Sequence, residues 1–218
     1  QYTASISEYL DDIEAKAQNF VFVTEVLGAA RVLGSARLFD RFQAEVVRRF
    51  VNVDGGRNRC HEGYLRGLFG ELRSLIASEP APDHLNPKVD GLRLIKGAAF
   101  AGKTIFDIDR VNAWAILEAL AERDPRRAEL YTRAGESLSF LEIFRFLYQL
   151  LNVQEEEIYP SEETSEHALD DVAHAMGYDD VGVVPARQQL LVEYYHHTTA
   201  AKDIVSALLA DAQQHLRG

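Results

Sequence analysis

Apolar residues recur every three or four positions along almost the whole chain, and this spacing constrains the fold more than any other feature. Side chains three or four residues apart share one face of an α-helix, so each apolar stripe predicts an amphipathic helix. Extended structure is suggested only by two short runs, residues 92–95 and 181–184. The pattern therefore predicts an all-α fold, a helical bundle of about seven to nine helices with a long C-terminal helix.

In the first half of the chain, three apolar stripes predict helices that end at turn-forming residues. The first stripe runs through residues 6–27, and the second runs through 38–50 to a turn at 52–56. The third stripe runs through 64–76 and ends before the Pro-Ala-Pro at 80–82. Because these breaks are rich in Gly, Asn, Asp and Pro, we expect short loops between the helices.

In the second half, side-chain caps and a glycine predict two further helices. Asp107 or Asp109 is expected to cap a helix that carries the apolar residues of 111–120. A polar helix is expected over 161–176, with Gly177 as its stop signal.

Two more helices in this half are predicted to contribute much of the core. Ser137 or Ser139 is expected to start a strongly apolar helix through 141–151, and its broad hydrophobicity predicts a central, buried position. Pro185 suits the first turn of the long closing helix. With 218 residues, we expect one helical domain over 1–218, with a possible subdivision into 1–80 and 86–218.

Composition excludes several classes of function. A net charge of −11 opposes nucleic-acid binding through general attraction to phosphates. No apolar run approaches the length that crosses a bilayer, and no charged-then-apolar leader opens the chain, so we expect no membrane partner. The single Cys60 excludes an internal disulfide and indicates a reducing compartment, for which we expect the bacterial cytoplasm.

Charge is spread unevenly along the chain. Residues 31–73 hold nine arginines against five acids, whereas residues 146–186 hold ten acids and no Lys or Arg. Two solvated faces of opposite sign explain this distribution, because charged residues mostly lie outside. The alternative is an arginine-rich surface for a phosphate or an acidic partner, with the acidic stretch repelling the wrong ones.

The segment GAAFAGKT fits the phosphate-binding loop pattern G-x-x-x-x-G-K-[ST] with Gly97, Gly102, Lys103 and Thr104. In such a loop the backbone amides wrap phosphate oxygens, and Lys and Thr handle phosphate and magnesium. That function needs a parallel sheet and a later strand that ends in an Asp, and the sequence predicts neither. The alternative is that the two glycines let helices approach closely or break a helix, with Lys103 solvated.

Three other sets of reactive side chains predict no catalytic or metal site that we would rely on. Adjacent His196 and His197 point about 100° apart on a helix, so one is expected to be packed and the other exposed. Cys60 lies between Arg59 and His61, which can lower a thiol pKa, but it also suits a helix start as a small residue. His167, Asp170, Asp171 and His174 have a metal-like spacing on one helix face, but a solvated acidic face explains this spacing better.

The segment NPKVDGLRLI at 86–95 resembles the pattern N-[IV]-K-x-G-x-G-G-L-R-D-[IL]. That pattern belongs to the helical domain that follows the catalytic domain in bacterial protein-PII uridylyltransferases, and glutamine synthetase adenylyltransferases carry similar helical domains. Asp90 stands where the family has the first of two paired glycines. Segments 28–42, 169–178 and 193–205 are similar, in the same order, to the family's D-A-R-x-L-x-G-D-x-x-L-F, L-A-x-x-L-G-Y and Y-Y-x-x-A-x-x-V.

This resemblance implies a helical accessory domain of a nucleotidyltransferase in nitrogen-regulatory signalling. Its expected partner is the catalytic domain or a regulatory protein, and the residues that match the motif are the implied interface: Asn86, Lys88, Gly91 and Arg93. Arg93 is expected to reach a phosphate or an acidic residue bidentately, with a buried structural salt bridge as the alternative.

Catalysis is not expected from this chain alone. The family's catalytic domain has a Gly-Ser followed about ten residues later by Asp-x-Asp, which holds magnesium and nucleotide. Gly34 and Ser35 lack that continuation, and the Asp-Ile-Asp at 107–109 lies far downstream. Magnesium and a nucleoside triphosphate are therefore expected only in an associated domain. Two other functions stay open, a stand-alone helical interaction or regulatory module, with a homo-oligomer possible, and a nucleotide binder through 97–104.

Overall fold

The computed structural model describes residues 5–17, 19–51, 59–78, 83–151 and 157–217. In these ranges the chain forms nine α-helices. They are α1 Ile6–Ala15, α2 Phe20–Leu27, α3 Ala36–Glu45, α4 Arg59–Ala77, α5 Arg93–Phe106, α6 Ala113–Arg123, α7 Ala128–Leu151, α8 Glu163–Ala175 and α9 Ala186–Arg217. Short 3₁₀ turns occupy Val47–Phe50 and Pro125–Arg127, and a π-helical turn occupies Lys88–Leu92.

The predicted all-α bundle is confirmed for the described residues, which contain no strand. Both predicted extended runs are wrong. Residues 92–95 lie at the junction of the π turn and α5, where their carbonyls and amides bond along the helix. Val181 and Val184 instead close a tight turn through a reciprocal pair of backbone hydrogen bonds, each 3.0 Å long. Among the described helices, none is both long enough and apolar enough to cross a membrane.

The N-terminal apolar stripe is split into two helices. Ser5 caps α1 by accepting a hydrogen bond from the Glu8 amide, and the Glu8 carboxylate accepts one from the Ser5 amide in return. The chain then turns, and the Asn19 side chain caps α2 by accepting from the Phe22 amide at 3.2 Å. An asparagine at this position favours a new helix start over continuation, which the apolar spacing alone did not indicate. The turns predicted at 52–56 and 80–82 lie outside the described residues.

Two predicted helix starts in the second half are wrong. Asn112 caps α6, with its side-chain oxygen 2.8 Å from the Ala115 amide. Asp107 ends α5 instead, in a left-handed conformation with a φ of 53°. Ser137 and Ser139 lie inside α7, which begins at Ala128 after a 3₁₀ turn. Capping residues signal a helix end only where the neighbouring chain leaves the helix, and that departure depends on packing.

The central helix of the bundle is α5, which contacts α4, α6, α7 and α9. Its ten buried residues include the whole of the 97–104 segment. The longest helix, α9, packs along α5, α7 and α8, as the sequence predicts for a closing helix. After α8, Gly177 adopts a φ of +88°, which suits its predicted role as a stop. The division into 1–80 and 86–218 stays a prediction, although α4 packs against α5 and α9 across it.

The predicted central burial of α7 holds for one face only. Leu138, Leu141 and Phe144 are fully buried in the core. On the opposite face, Ile143 is 51% exposed and Phe146 and Leu150 are each 65% exposed. These exposed side chains give α7 an apolar surface that the described part of the chain leaves open.

Candidate functional sites

The segment that resembles the uridylyltransferase motif begins with a buried hydrogen-bond network. The Asn86 side-chain oxygen accepts from the Val89 amide at 3.2 Å, and Asp90 Oδ2 accepts from the Asn86 amide at 2.8 Å. The hydroxyl of Tyr194, on α9, donates to the same Asp90 oxygen at 2.5 Å. Burial, reinforced by the Asp90 carboxylate, raises the pKa of Tyr194 far above its ordinary value, so the hydroxyl remains a donor. This network joins the start of α5 to α9.

Gly91 lies inside the π turn and faces α7. A Cβ atom at this position would overlap with Leu141 Cδ1, and Leu141 is fully buried. Because Gly91 has no side chain, the Leu141 side chain can lie directly against this turn. Gly91 therefore serves the packing of α5 against α7, and its backbone amide lies within the turn.

Arg93 is the motif residue that the structure places at the surface. It lies on the first turn of α5 with its side chain 51% exposed, and its guanidinium is 3.9 Å from the Glu71 carboxylate. The alternative of a buried salt bridge is therefore wrong. Half-exposed ion pairs of this length contribute about 0–1 kcal/mol to stability. The ion pair with Glu71 therefore gives Arg93 little structural importance. Lys88, in the π turn before it, is half-buried.

The segment 97–104 lies in the interior of α5, where all eight residues are buried. Its backbone amides bond along the helix, so they do not form the open loop that cradles a phosphate. Thr104 Oγ1 donates to the Ala101 carbonyl at 3.0 Å, as helical threonines do.

Lys103 is buried at 4% exposure, contrary to the expectation that it is solvated. Its ammonium donates to the carbonyls of Ile108 and Arg110, in the loop that follows α5. Burial lowers the pKa of Lys103, against the opposing attraction of Asp109 and Asp107. The ammonium thus closes the C-terminal end of α5 and faces backbone carbonyls, where a P-loop lysine would face phosphate.

The glycines of this segment permit close helix packing, as their spacing predicts. A Cβ at Gly97 would lie 2.8 Å from Leu72 Cδ2 on α4, and one at Gly102 would lie 2.7 Å from Leu120 Cδ1 on α6. Real Cβ atoms do not come this close to neighbours. The two glycines therefore set the distances from α5 to α4 and to α6.

The metal-like spacing on α8 forms no metal site. Asp170 bonds to Arg187 of α9 at 2.7 Å, and Glu166 approaches the same guanidinium at 3.4 Å. In the part of the chain that the structure describes, no group of three or more His, Cys, Asp or Glu residues is arranged to hold a metal ion. Cys60 is buried near the start of α4, as the interpretation of a small helix-start residue predicts, and burial raises the pKa of its thiol, contrary to the alternative of a lowered pKa.

The adjacent histidines divide as predicted, with His197 packed and His196 exposed. His197 stacks on Phe140 at 4.3 Å, and its Nδ1 is 2.9 Å from Ser137 Oγ. Its Nε2 is 3.9 Å from the Glu193 carboxylate. This Ser-His-Glu set, formed across 60 residues of sequence, has no signal in the linear spacing.

The Ser-His-Glu set does not have the access that nucleophilic catalysis needs. Ser137 is 1% exposed, so a substrate cannot reach its hydroxyl. Burial, together with His196, lowers the pKa of His197 and keeps the ring neutral at neutral pH. The set therefore orders the contact between α7 and α9.

Three surface clefts accompany these buried networks. One of about 620 Å³ lies between α6, α7 and α9 and exposes Trp114, Glu118 and Glu136. Another of about 650 Å³ lies below Arg48 and Asp107, whose side chains form an ion pair. A third, of about 810 Å³, lies between the start of α1, the loop before α3 and α3 itself; we call it the α3 groove.

Comparison with known proteins yields no match: no protein-family model, curated protein or solved structure corresponds to this chain. The similarity of four segments to the uridylyltransferase helical domain therefore stays an interpretation of the sequence. Of the four predicted motif residues, Asn86 and Gly91 are internal, Lys88 is half-buried, and Arg93 is displayed at the surface.

Proposed function

We propose that this chain is a non-catalytic helical accessory domain of the protein-PII uridylyltransferase type, which binds a protein partner through the surface around Arg93. The observation that supports it best is the half-exposed guanidinium of Arg93 on α5, a helix in which ten of the fourteen residues are buried. The resemblance in four ordered segments supplies the type of enzyme, and the bundle supplies a helical scaffold of the expected class.

The backbone beneath Arg93 is held on three sides, which favours a role in recognition. Asn86 and Asp90 close the preceding turn, Tyr194 fixes that turn to α9, and Gly91 packs against α7. A side chain displayed from a rigid element loses less conformational entropy on binding than one on a loop. Its planar guanidinium offers paired donors that suit a carboxylate or a phosphate group.

The partner in this proposal is a nucleotidyltransferase catalytic domain or a regulatory protein of the cytoplasm. Magnesium and the nucleoside triphosphate bind to that catalytic domain. The accessory domain contributes the guanidinium of Arg93, which binds an acidic or phosphate-bearing group of that partner, in nitrogen-regulatory signalling. A stand-alone interaction module with the same surface is the second candidate.

The proposal is tested by affinity purification of the tagged chain from a lysate of its source organism, with mass spectrometry of the bound proteins. The wild type should recover a nucleotidyltransferase that contains Gly-Ser followed by Asp-x-Asp. Arg93→Glu should lose it, because the substitution reverses the charge of the contact. Arg73→Glu, on the exposed side of α4, is the matched control and should retain it.

Recovery of another signalling protein that depends on Arg93 would favour the stand-alone module. Recovery of neither class of protein, or equal recovery with Arg93→Glu, would overturn the proposal. Circular dichroism of both variants checks that the helical fold is intact, which we expect because both side chains are exposed.

A further inference from the structure

The cleft between α6, α7 and α9 has the size of a small-molecule site and an aromatic wall. Its volume is about 620 Å³. Cavities that bind small molecules have volumes of about 300–1,000 Å³ and are lined mostly by apolar and aromatic side chains. Here that lining comes from Trp114, Leu117 and Ala121 on α6 and from Tyr131 on α7. We call this cavity the Trp114 cleft.

The indole of Trp114 is held in place by hydrogen bonds within the chain. Its Nε1 donates to Ser139 Oγ at 2.9 Å, and that hydroxyl donates to the Gly135 carbonyl at 2.9 Å. Thr132, which also lines the cleft, donates its hydroxyl to the Ala128 carbonyl at 3.0 Å. These neutral polar groups are therefore already bonded. Because the ring N–H is engaged, the 40% of Trp114 that is exposed offers mainly its aromatic surface.

Two carboxylates of the cleft have no partner in the described part of the chain. Glu118 on α6 and Glu136 on α7 line it, and neither forms an ion pair or a hydrogen bond with another described side chain. Arg133 precedes Glu136 by three residues but does not line the cleft, and no other Lys or Arg does among the described residues. The ring of His197 adds no positive charge at neutral pH, because burial and the neighbouring His196 lower its pKa. The lining is therefore negatively charged.

Gly135 leaves one wall of the cleft open. It lies inside α7 and lines the cavity, and a Cβ atom at this position would have no other atom within 4 Å. Glycine in a helix interior is unfavourable relative to alanine. The close helix contacts that explain Gly97 and Gly102 do not explain Gly135. What the missing side chain provides at this position is room in the cleft.

The charge and the aromatic wall favour the same class of ligand. Carboxylates accept hydrogen bonds and attract positive charge, whereas they repel anions. The electron-rich surface of an indole also attracts an ammonium group, more strongly than the other aromatic side chains do. The apolar side chains of Leu117 and Ala121 suit a ligand with a hydrocarbon body.

We propose that the Trp114 cleft binds a small organic cation, an ammonium ion with an apolar body, between the indole of Trp114 and the carboxylates of Glu118 and Glu136. The ammonium group contacts the carboxylates and the indole, and the apolar body occupies the space beside Gly135. This site is formed by α6, α7 and α9, whereas Arg93 lies at the start of α5. The proposal is therefore independent of the accessory-domain function.

The first test uses Trp114 as the probe, because it is the only tryptophan of the chain. The full chain is titrated with 2-phenylethylammonium and with choline, and binding is followed by tryptophan fluorescence and by calorimetry. The controls are 2-phenylethanol and 3,3-dimethylbutan-1-ol, which have similar shapes and no charge. At least one cation should bind saturably, and its neutral counterpart should bind about tenfold more weakly or less.

The second test changes the cleft itself. Gly135→Leu should abolish binding, because the new side chain fills the open space; Gly70→Leu, at an open position of α4, is the matched control and should bind as the wild type does. Glu118→Gln and Glu136→Gln should each weaken cation binding about fivefold, since each removes one charge at an exposed position. Glu129→Gln, at an exposed position of α7 outside the lining, should leave the affinity unchanged.

The proposal is overturned if neither cation binds saturably, or if the neutral compounds bind as tightly as the cations. Wild-type affinity in Gly135→Leu overturns it too, because the ligand then lies elsewhere. Arg93→Glu should leave cation binding unchanged, which separates this result from the test of the accessory-domain function. Circular dichroism confirms folding of each variant.

Discussion

Helices α3 and α5 have similar apolar periodicity and opposite surroundings. No residue of α3 is buried, whereas α5 has ten buried residues and contacts four other helices. The two helices differ in side-chain size and in their content of charged residues. Gly97 and Gly102 allow neighbouring leucines to approach within van der Waals contact of the α5 backbone. On α3, charged residues that include Arg37, Asp40 and Arg41 are exposed beside the apolar stripe, and the helix lies at the edge of the fold. Periodicity thus indicates a helix but not its position.

The difference between the two helices should be largest when one apolar side chain is truncated on each helix. Ile95→Ala on α5 should lower the free energy of unfolding by about 2–5 kcal/mol, because it opens a cavity around a residue with 0% exposure. Leu38→Ala on α3 should change it by less than about 0.5 kcal/mol, since Leu38 is already 56% exposed. Urea unfolding followed by circular dichroism measures both. Equal losses would mean that α3 is covered within the single chain.

A smaller effect should distinguish glycines that set packing distances from glycines that do not. Gly102→Ala should destabilise the protein by about 1 kcal/mol or more, because the clash with Leu120 outweighs the gain in helix propensity. Gly70→Ala, on α4 with open space around its Cβ position, should stabilise it by up to about 1 kcal/mol. Thermal unfolding of both variants gives the two signs, and stabilisation by both would contradict the packing role of Gly102.

The smallest expected effect concerns the adjacent histidines of α9, of which His197 is packed and His196 is exposed. Burial lowers the pKa of His197 below its ordinary value of 6.5. The unfolded chain therefore binds more protons than the folded chain just below pH 6.5, so stability is lost as the pH falls through that range towards the lowered pKa. His197→Gln should reduce this acid-side slope.

The matched control is His196→Gln, at the exposed neighbour. It should reduce the slope of unfolding free energy against pH by less than His197→Gln does, because it removes only the contribution of His196 to the lowered pKa of His197. The measurement is urea unfolding at several values between about pH 5 and pH 7.5. An unchanged slope in the His197 variant, or an equal change in both, would show that packing against Phe140 and Ser137 does not set the proton affinity of His197.

Sequence patterns predicted the local features of this fold well. The apolar spacing predicted the all-α class, the closing helix α9 and the stop at Gly177, because each depends on residues within one or two turns. The same local logic failed for α6, where Asp107 and Asn112 are both good capping residues and packing decided between them. It also failed for residues 92–95, whose short apolar run suits a strand as well as a buried helix.

Candidate sites were less predictable than elements. The phosphate-loop spelling at 97–104 is equally compatible with a loop and with a helix of small residues, and the helices packed around it determine the outcome. Asp90 shows the reverse case. In the sequence, Asp90 only interrupts a family pattern. In the structure, its carboxylate accepts a hydrogen bond from the hydroxyl of Tyr194, 104 residues further along the chain.

The sequence by itself determined that this chain is helical, where most of its helices lie and how its charge is divided, because helix formation depends on neighbours in the chain. Only the tertiary structure decided which faces are covered. It buried Lys103 against backbone carbonyls, displayed Arg93, and left the apolar side chains Ile143, Phe146 and Leu150 of α7 exposed. Burial is a property of residues far apart in sequence that meet in space, and helical periodicity holds no information about which stripe meets which.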